Sequence, residues 1–342
     1  MLKLRRGVVV AEEPLTVEVD GDARRAWADE RLLGEMRRGD EVVVNTEALD
    51  LGLGSGGFDI VHLNLTRGLE GAGAAGSHVM KLNYASIQHP VELVERREEE
   101  LGSERRAAIP VLVIPLHGHL APATWAAREA SEGIRVGYVQ TGGGALPGRI
   151  SRDVAQLRGL GLLCGHVTAG PAYGGEQEAL SVAGALDAAT HRLGWDAAIA
   201  GPGPGIIGSD TRYGHGGMTA LDTAHAALAL GMPTLLSPRL SAGDPRTRHR
   251  GLSHHTKTVL ELLLGEVEVP MPASEEDAAS ISAEIPARHT QRGQQVDLDA
   301  YAASGLPTRV MGRDLEQDRL FFAAALASGR GLAAAAAGSG ER

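Results

Sequence analysis

A single cysteine, Cys164, stands in a chain of 342 residues, which rules out an internal disulfide and any cysteine-based zinc site. A metal would have to be held by histidines and carboxylates. Cys164 itself lies in the apolar run LGLLCGHV and reads as a buried structural thiol rather than a nucleophile. Aromatic residues make up only 3% of the chain and the net charge is −10. Nucleic-acid binding wants basic faces and stacking platforms, so it is not expected. Long apolar runs are missing too: Ala107 to Leu116 falls far short of the roughly 20 residues of a membrane span. The N-terminus MLKLRRGVVVAEE turns acidic where a secretory signal stays apolar. A soluble cytoplasmic protein, engaging neither membrane nor nucleic acid, is the expectation. A homo-oligomer is expected only from the general frequency of such assemblies.

The charge is uneven. Residues 1–108 carry a net −6, residues 109–255 carry +1 and residues 256–342 carry −5. Length suggests about two domains. Residues 1–94 read as β-rich, with β-branched runs in LKLRRGVVVAEEPLTVEVDGD, EVVVNT, FDIVHLNL and HVMKLNY and a turn at GLGSGGF, so a small barrel or sandwich is expected. Residues 95–107, within ELVERREEELGSERRA, read as a charged linker or surface helix. Residues 108–329 alternate short apolar strands, loops rich in glycine or histidine, and amphipathic helices. This is the pattern of an α/β domain with a mostly parallel sheet. Five such units run from VLVIP to TKTVLELLLG, with EVEVP as a sixth strand. MPASEEDAASISAE reads as a surface loop, VDLDAYAAS as a helix, TRVMG as a strand and LEQDRLFFAAALASG as a docking helix. The Ala/Gly-rich residues 330–342 are expected to be a frayed or disordered tail.

All five unusual loops follow a strand and precede a helix, so they share the carboxyl edge of the sheet, where open α/β folds bind ligands. GPGPGIIGSDTRYGHGG has seven glycines in 17 residues. Its backbone amides and the following helix start suit an oxyanion, with Gly201, Gly203, Gly205, Gly208, Ser209, Asp210, Thr211 and His215 as candidate ligand contacts. It is neither a Walker loop nor a GxGxxG fingerprint in register, so nucleotide binding does not follow. TGGGALP and GPAYGGE repeat the theme more weakly. The loop PRLSAGDPRTRHRGLSHHT carries four arginines within 12 residues, Arg239, Arg246, Arg248 and Arg250. These can hold carboxylate or phosphate, or form a structural lattice on Asp244.

Nine of the 13 histidines lie between residues 117 and 255. His249, His254 and His255, oriented by Asp244, are candidate general acids or bases, with His117 and His119 as a second proton-transfer group. His191 and His225 fall in helices and read as packing or surface residues. A divalent metal on His117, His119, Asp210 and Glu176, with Glu178 or Asp244, is an open alternative, although no HExxH spacing supports it. Ser253 beside His254 does not make a nucleophile pair, and no GxSxG elbow is present.

In GPGPGIIGSDTRYGHGG, GDPRTRHRGLSHHT and YVQTGGGALP, the chain resembles a bacterial family of unknown function, found in actinobacteria and spore-forming Gram-positives. The likeness extends to GDEVVVNTEALDLGLGSGGFDIVHLNL and MGRDLEQDRLFF and so spans almost the whole chain. It implies that these motifs belong together in a β-rich domain followed by a Gly/His-rich α/β domain. It supplies no catalytic residues. Two functions are therefore expected as alternatives: an enzyme, by hydrolysis or group transfer, acting on a small anionic metabolite, phosphorylated or not, or a metabolite-sensing protein without turnover.

Overall fold

The structure, a computed structural model, describes residues 1–53, 56–100, 106–273 and 278–339. Gly54 and Ser55 of the expected turn, 101–105 of the expected linker, 274–277 of the expected surface loop and 340–342 of the expected tail lie outside the described residues. Two compact units result, Met1–Val91 and Glu92–Arg342.

Alternation of apolar and polar side chains builds the first unit. Its strands are β1 (Leu4–Glu12), β2 (Leu15–Val19), β3 (Asp22–Trp27), β4 (Glu41–Asn45) and β5 (Asp59–Asn64), with short helices α1 (Glu30–Leu33) and α2 (Glu47–Asp50) between them. Val9, Val17, Val19, Val42, Val44 and Val61 meet as its core. The strands close in the order β1-β2-β3-β5-β4, with β3 and β5 parallel and the other pairs antiparallel. The expected barrel or sandwich is thus a barrel, and closure removes the free edges that would pair with other chains. β6 (Met80–Lys81) and β7 (His89–Pro90) add a small antiparallel pair.

The second unit begins earlier than the linker expectation placed it. Val94 is buried in its core, Arg96 donates to Asp187 at 2.6 and 2.7 Å, and Glu95 accepts from the amides of Leu180 and Ser181. Residues 92–96 are therefore docked, by one valine and two charged contacts that leave no periodic signal in the sequence.

Eight parallel strands form the sheet: β8 (Val111–Val113), β9 (Val136–Thr141), β10 (Gly165–Ala169), β11 (Gln177–Ala179), β12 (Ala197–Pro202), β13 (Thr234–Leu236), then, after the small antiparallel pair β14 (Leu240–Ser241) and β15 (Gly251–Leu252), β16 (Glu268–Pro272) and β17 (Thr290–Gln294). Their order is β11-β10-β9-β12-β8-β13-β16-β17. The helices are α3 (Leu120–Ala130), α4 (Arg152–Gly159), α5 (Val182–His191), α6 (Thr219–Ala229), α7 (His254–Leu262), α8 (Ala278–Ser282), α9 (Leu298–Ala302) and α10 (Arg319–Ser339). One core gathers α5, α6 and α7 on the sheet, and the other gathers α3, α4 and α9; α10 contributes to both. A hairpin of β18 (Arg309–Val310) and β19 (Arg313–Asp314) precedes α10.

The expected tail is corrected by α10, which runs on to Ser339 and buries Leu332 and Ala333. Gly329, the last residue of the expected docking helix, lies inside α10, where a methyl group would overlap the carbonyl oxygen of Ala123 on α3. The missing side chain lets the two helices touch. By length and composition α10 is apolar enough to cross a bilayer, but 72% of that stretch is buried within the fold, as in a core helix.

Winding of the sheet points to a candidate site. The chain leaves β8 for β9, β10 and β11, returns to insert β12 between β9 and β8, and then winds the other way through β13, β16 and β17. The carboxyl ends of β12, β8 and β13 are thus neighbours where the direction reverses, the position at which open α/β sheets bind ligands.

Candidate functional site

A cavity of about 550 Å³ opens there, lined from the loops after β8, β12 and β13, from the first turn of α4 and from the β18–β19 hairpin. Arg239, Arg246 and Arg248 share its wall with His117, His215, His249, His254 and His255.

The arginines are organised by Asp244, whose side chain is fully buried. It accepts from Arg246 Nε at 3.0 Å and Nη2 at 2.9 Å, from Arg239 Nη2 at 3.1 Å and from Arg313 Nη2 at 3.4 Å. Burial alone would raise its pKa, but the hydrogen bonds and charges of Arg246 and Arg239 hold it well below the usual carboxylate range. Asp244 does not reach the cavity and orients no histidine directly; it is the anchor of the lattice. Arg313 also donates to Asp318 at 2.9 Å, and Asp318 accepts from Ser241 Oγ at 2.6 Å. Three arginines on two carboxylates leave this wall positive. Arg239 is pushed down to about 10 by burial and by the charges of Arg246 and Arg313, and it stays charged at neutral pH. Arg250 turns away from the cavity and donates to the Asp244 carbonyl at 3.0 Å.

Four imidazoles pack into one cluster. His215 and His255 stack with centroids 3.6 Å apart and planes 8° apart, while His254 lies 4.4 Å from His255 and His249 lies 4.9 Å from His254. Burial, followed by the positive charge of Arg239, pushes His249 down to about 3; burial also lowers His215, His254 and His255. These rings are neutral at pH 7 and so able to accept protons or ligate metal. Ser253 caps α7 by accepting from the His255 amide and binds His249 Nδ1 at 2.7 Å, which fixes the ring and leaves its other nitrogen to act.

Also on the cavity lining, His117 Nε2 meets Ser151 Oγ at 2.8 Å and Asp153 Oδ2 at 3.8 Å. Asp153 was not singled out from sequence, because it reads as an ordinary acid in the first turn of α4. His119 is placed elsewhere. It is fully buried, bonded through Nδ1 to Ser237 Oγ at 2.7 Å, set edge-on against Phe321 and pushed down to about 3 by burial. It does not line the cavity and is no proton shuttle for it. His117, His119, Asp210 and Glu176 do not converge as a metal set. Glu176 pairs with Arg158 at 2.6 Å away from the cavity, and the exposed Asp210 pairs with Arg248.

The glycine loop divides in two. Gly201 and Gly203 are packing positions: a methyl group would strike Ile114 at the first and the carbonyl of Ala145 at the second. Gly205, Gly208, Asp210 and Thr211 line the cavity, and Ser209 sits beside them, bonded to Thr211 Oγ1 at 3.0 Å and to the Gly214 carbonyl at 2.9 Å. The amides of Ser209, Gly214, His215, Gly216 and Met218 are all taken by bonds within the loop. The loop is therefore a shaped wall that offers no free amide at those positions, and positively charged donors on the cavity lining come from arginines such as Arg239, Arg246 and Arg248. TGGGALP supports this wall from behind. At Gly143 and Gly144 a side chain would overlap the carbonyls of Gly216 and Gly203, so the two loops meet backbone to backbone. Neither TGGGALP nor GPAYGGE lines the cavity.

Arg309 and Met311 of the hairpin line the cavity, while Arg313 and Asp318 brace the lattice behind it, and sequence reading assigned none of them a role. The signal for Met311, Arg313 and Asp318 was MGRDLEQDRLFF, a motif shared with the resembled family but without recognisable chemistry of its own, and Arg309 lies two residues before it. No curated protein and no solved structure matches the chain. Residues 25–329, which take in the barrel from the second half of β3 onward, the whole parallel sheet and every residue of the cavity wall, match the family described as protein of unknown function, DUF3866, and the chain belongs to that family.

Proposed function

We propose that the protein is a cytoplasmic enzyme that acts on a small anionic, phosphate- or carboxylate-bearing metabolite, by hydrolysis or group transfer, in the cavity at the carboxyl ends of the central strands. The observation that carries this reading is the convergence of Arg239, Arg246 and Arg248 with four neutral imidazoles on one wall. Anion binding alone needs only arginines and amides; neutral histidines beside them add groups that move protons. Arg246 and Arg248 are half exposed and paired with Asp244 and Asp210, pairings that a ligand anion can share or replace. His249, fixed by Ser253, is the candidate base, and His117 beside Asp153 is the candidate second proton-transfer group on the cavity lining.

The test combines a thermal-shift screen of phosphorylated and carboxylated metabolites with product detection by NMR. A stabilising anion is expected. Arg246→Ala should weaken it by about 10- to 100-fold, the range of one charge-assisted hydrogen bond, and His249→Gln should retain binding but lose turnover. Binding without turnover by the unmodified chain would mark a sensor, and no stabilising anion at all would remove the reading entirely.

A further inference from the structure

We propose that His215, His254 and His255 form a divalent transition-metal site of the zinc class in the wall of the cavity. The proposal rests on the reading of that cavity as the active site and adds a cofactor to it. The candidate ligand nitrogens of the three histidines lie within 4.8 Å of one another. Two of them carry an unmet demand. His215 is 7% exposed, and its Nε2 lies 3.1 Å from the Arg212 carbonyl, which can only accept. The ring proton is therefore on Nε2, and Nδ1 carries the lone pair. That Nδ1 is buried without a hydrogen-bond partner, and so is Nε2 of His254. Leaving such groups unmade is costly, and a metal ion is an acceptor of lone pairs that suits both.

Gly217 provides the room. A methyl group there would sit 3.1 Å from His215 Nδ1 and 3.4 Å from His255 Nδ1, so the glycine keeps space beside both nitrogens. The donor set selects the ion: neutral imidazoles suit zinc, cobalt, nickel and copper, whereas calcium and magnesium take oxygen. A tetrahedral ion with nitrogens at about 2.0–2.1 Å holds them about 3.3 Å apart. Binding thus requires the ligand atoms to draw together by up to about 1.5 Å. The parallel rings of His215 and His255 must fan, and Arg239, 3.4 Å from His255 Nδ1, must turn wholly to Asp244. Three protein ligands leave one coordination position for water or a substrate oxygen, on the wall that Arg246 and Arg248 share.

The full chain, stripped with EDTA and dialysed, is titrated with Co²⁺ and followed by its visible absorption, with zinc uptake measured in parallel by elemental analysis. About one equivalent per chain with the intense bands of tetrahedral cobalt is expected. His254→Gln should weaken uptake by more than about 100-fold, beyond the loss of an outer-shell partner. Gly217→Ala, which leaves all three ligands in place, should weaken it by more than about 10-fold while near-UV circular dichroism stays native. His249→Gln should bind cobalt as the unmodified chain does. Failure of the unmodified chain to take up either metal, or native affinity in both His254→Gln and Gly217→Ala, overturns the proposal. If the metal fails while anions still stabilise the protein, the anion-site reading stands alone. If the metal binds while no anion does, the enzyme reading falls and the site is structural.

Discussion

Asp244 is surrounded by Arg239, Arg246 and Arg313, drawn from two segments about seventy residues apart, and its carboxylate is what permits three cations to lie together near a buried surface. Replacing it with its neutral isostere, Asp244→Asn, keeps the volume and removes the charge. Breaking a buried pair of this kind costs about 3–5 kcal/mol, so the urea midpoint should fall steeply; an unchanged midpoint would show that the lattice contributes no stability. Half of this lattice was legible in the sequence. The spacing of Arg239, Asp244 and Arg246 within one loop announced a local cluster, but nothing local connects it with Arg313 and Asp318. The same limit explains Asp153 and His119. One gained a role from a histidine across the chain, and the other lost its role because Phe321 and Ser237 cover it.

At the scale of elements, short apolar runs announced the central strands because β8, β9, β10, β12 and β13 are buried. The edge strands were missed for the opposite reason. β17 reads TQRGQ and is mostly exposed, and β11 is only the three residues QEA, of which Ala179 alone is buried. Edge strands need only half a ladder and carry polar residues, which protect the edge and erase the hydrophobic pattern. The end of α10 was obscured by composition, since alanine and glycine in a chain terminus look like a tail until Gly329 is seen against Ala123. A chain ending at Arg330 is therefore expected to lose the burial of Leu332 and Ala333, about 2–4 kcal/mol. For a unit of this size, that lowers Tm by roughly 5–15 °C in scanning calorimetry. A frayed tail would leave Tm where it was.

Over the whole molecule, buried neutral histidines set the acid limit of stability. His119 and His166 are both pushed down to about 3, chiefly by burial, whereas in the unfolded chain they titrate near 6.5. The unfolded state thus binds more protons below that value, so stability is complete above about pH 6.5 and drains as pH falls toward 3. Between pH 7.5 and 5.5 each should remove on the order of 1 kcal/mol. Denaturant unfolding at the two pH values, with His166→Gln as the comparison, measures it; the variant should show a shallower slope, and an equal slope would count against the assignment. The edge that carries the candidate cavity was legible at this scale because strand-to-helix loops share it, whereas which of the five loops line that cavity depended on strand order, which sequence does not display.

The contact of Gly143 and Gly144 with the loop of Gly203 and Gly216 sets a boundary on change. A side chain introduced at these positions meets peptide backbone, which no second substitution can shorten, so the joint admits no compensating pair. The arginines and histidines that face the cavity are then free to diverge, while the frame that holds them stays fixed by atoms that are not there.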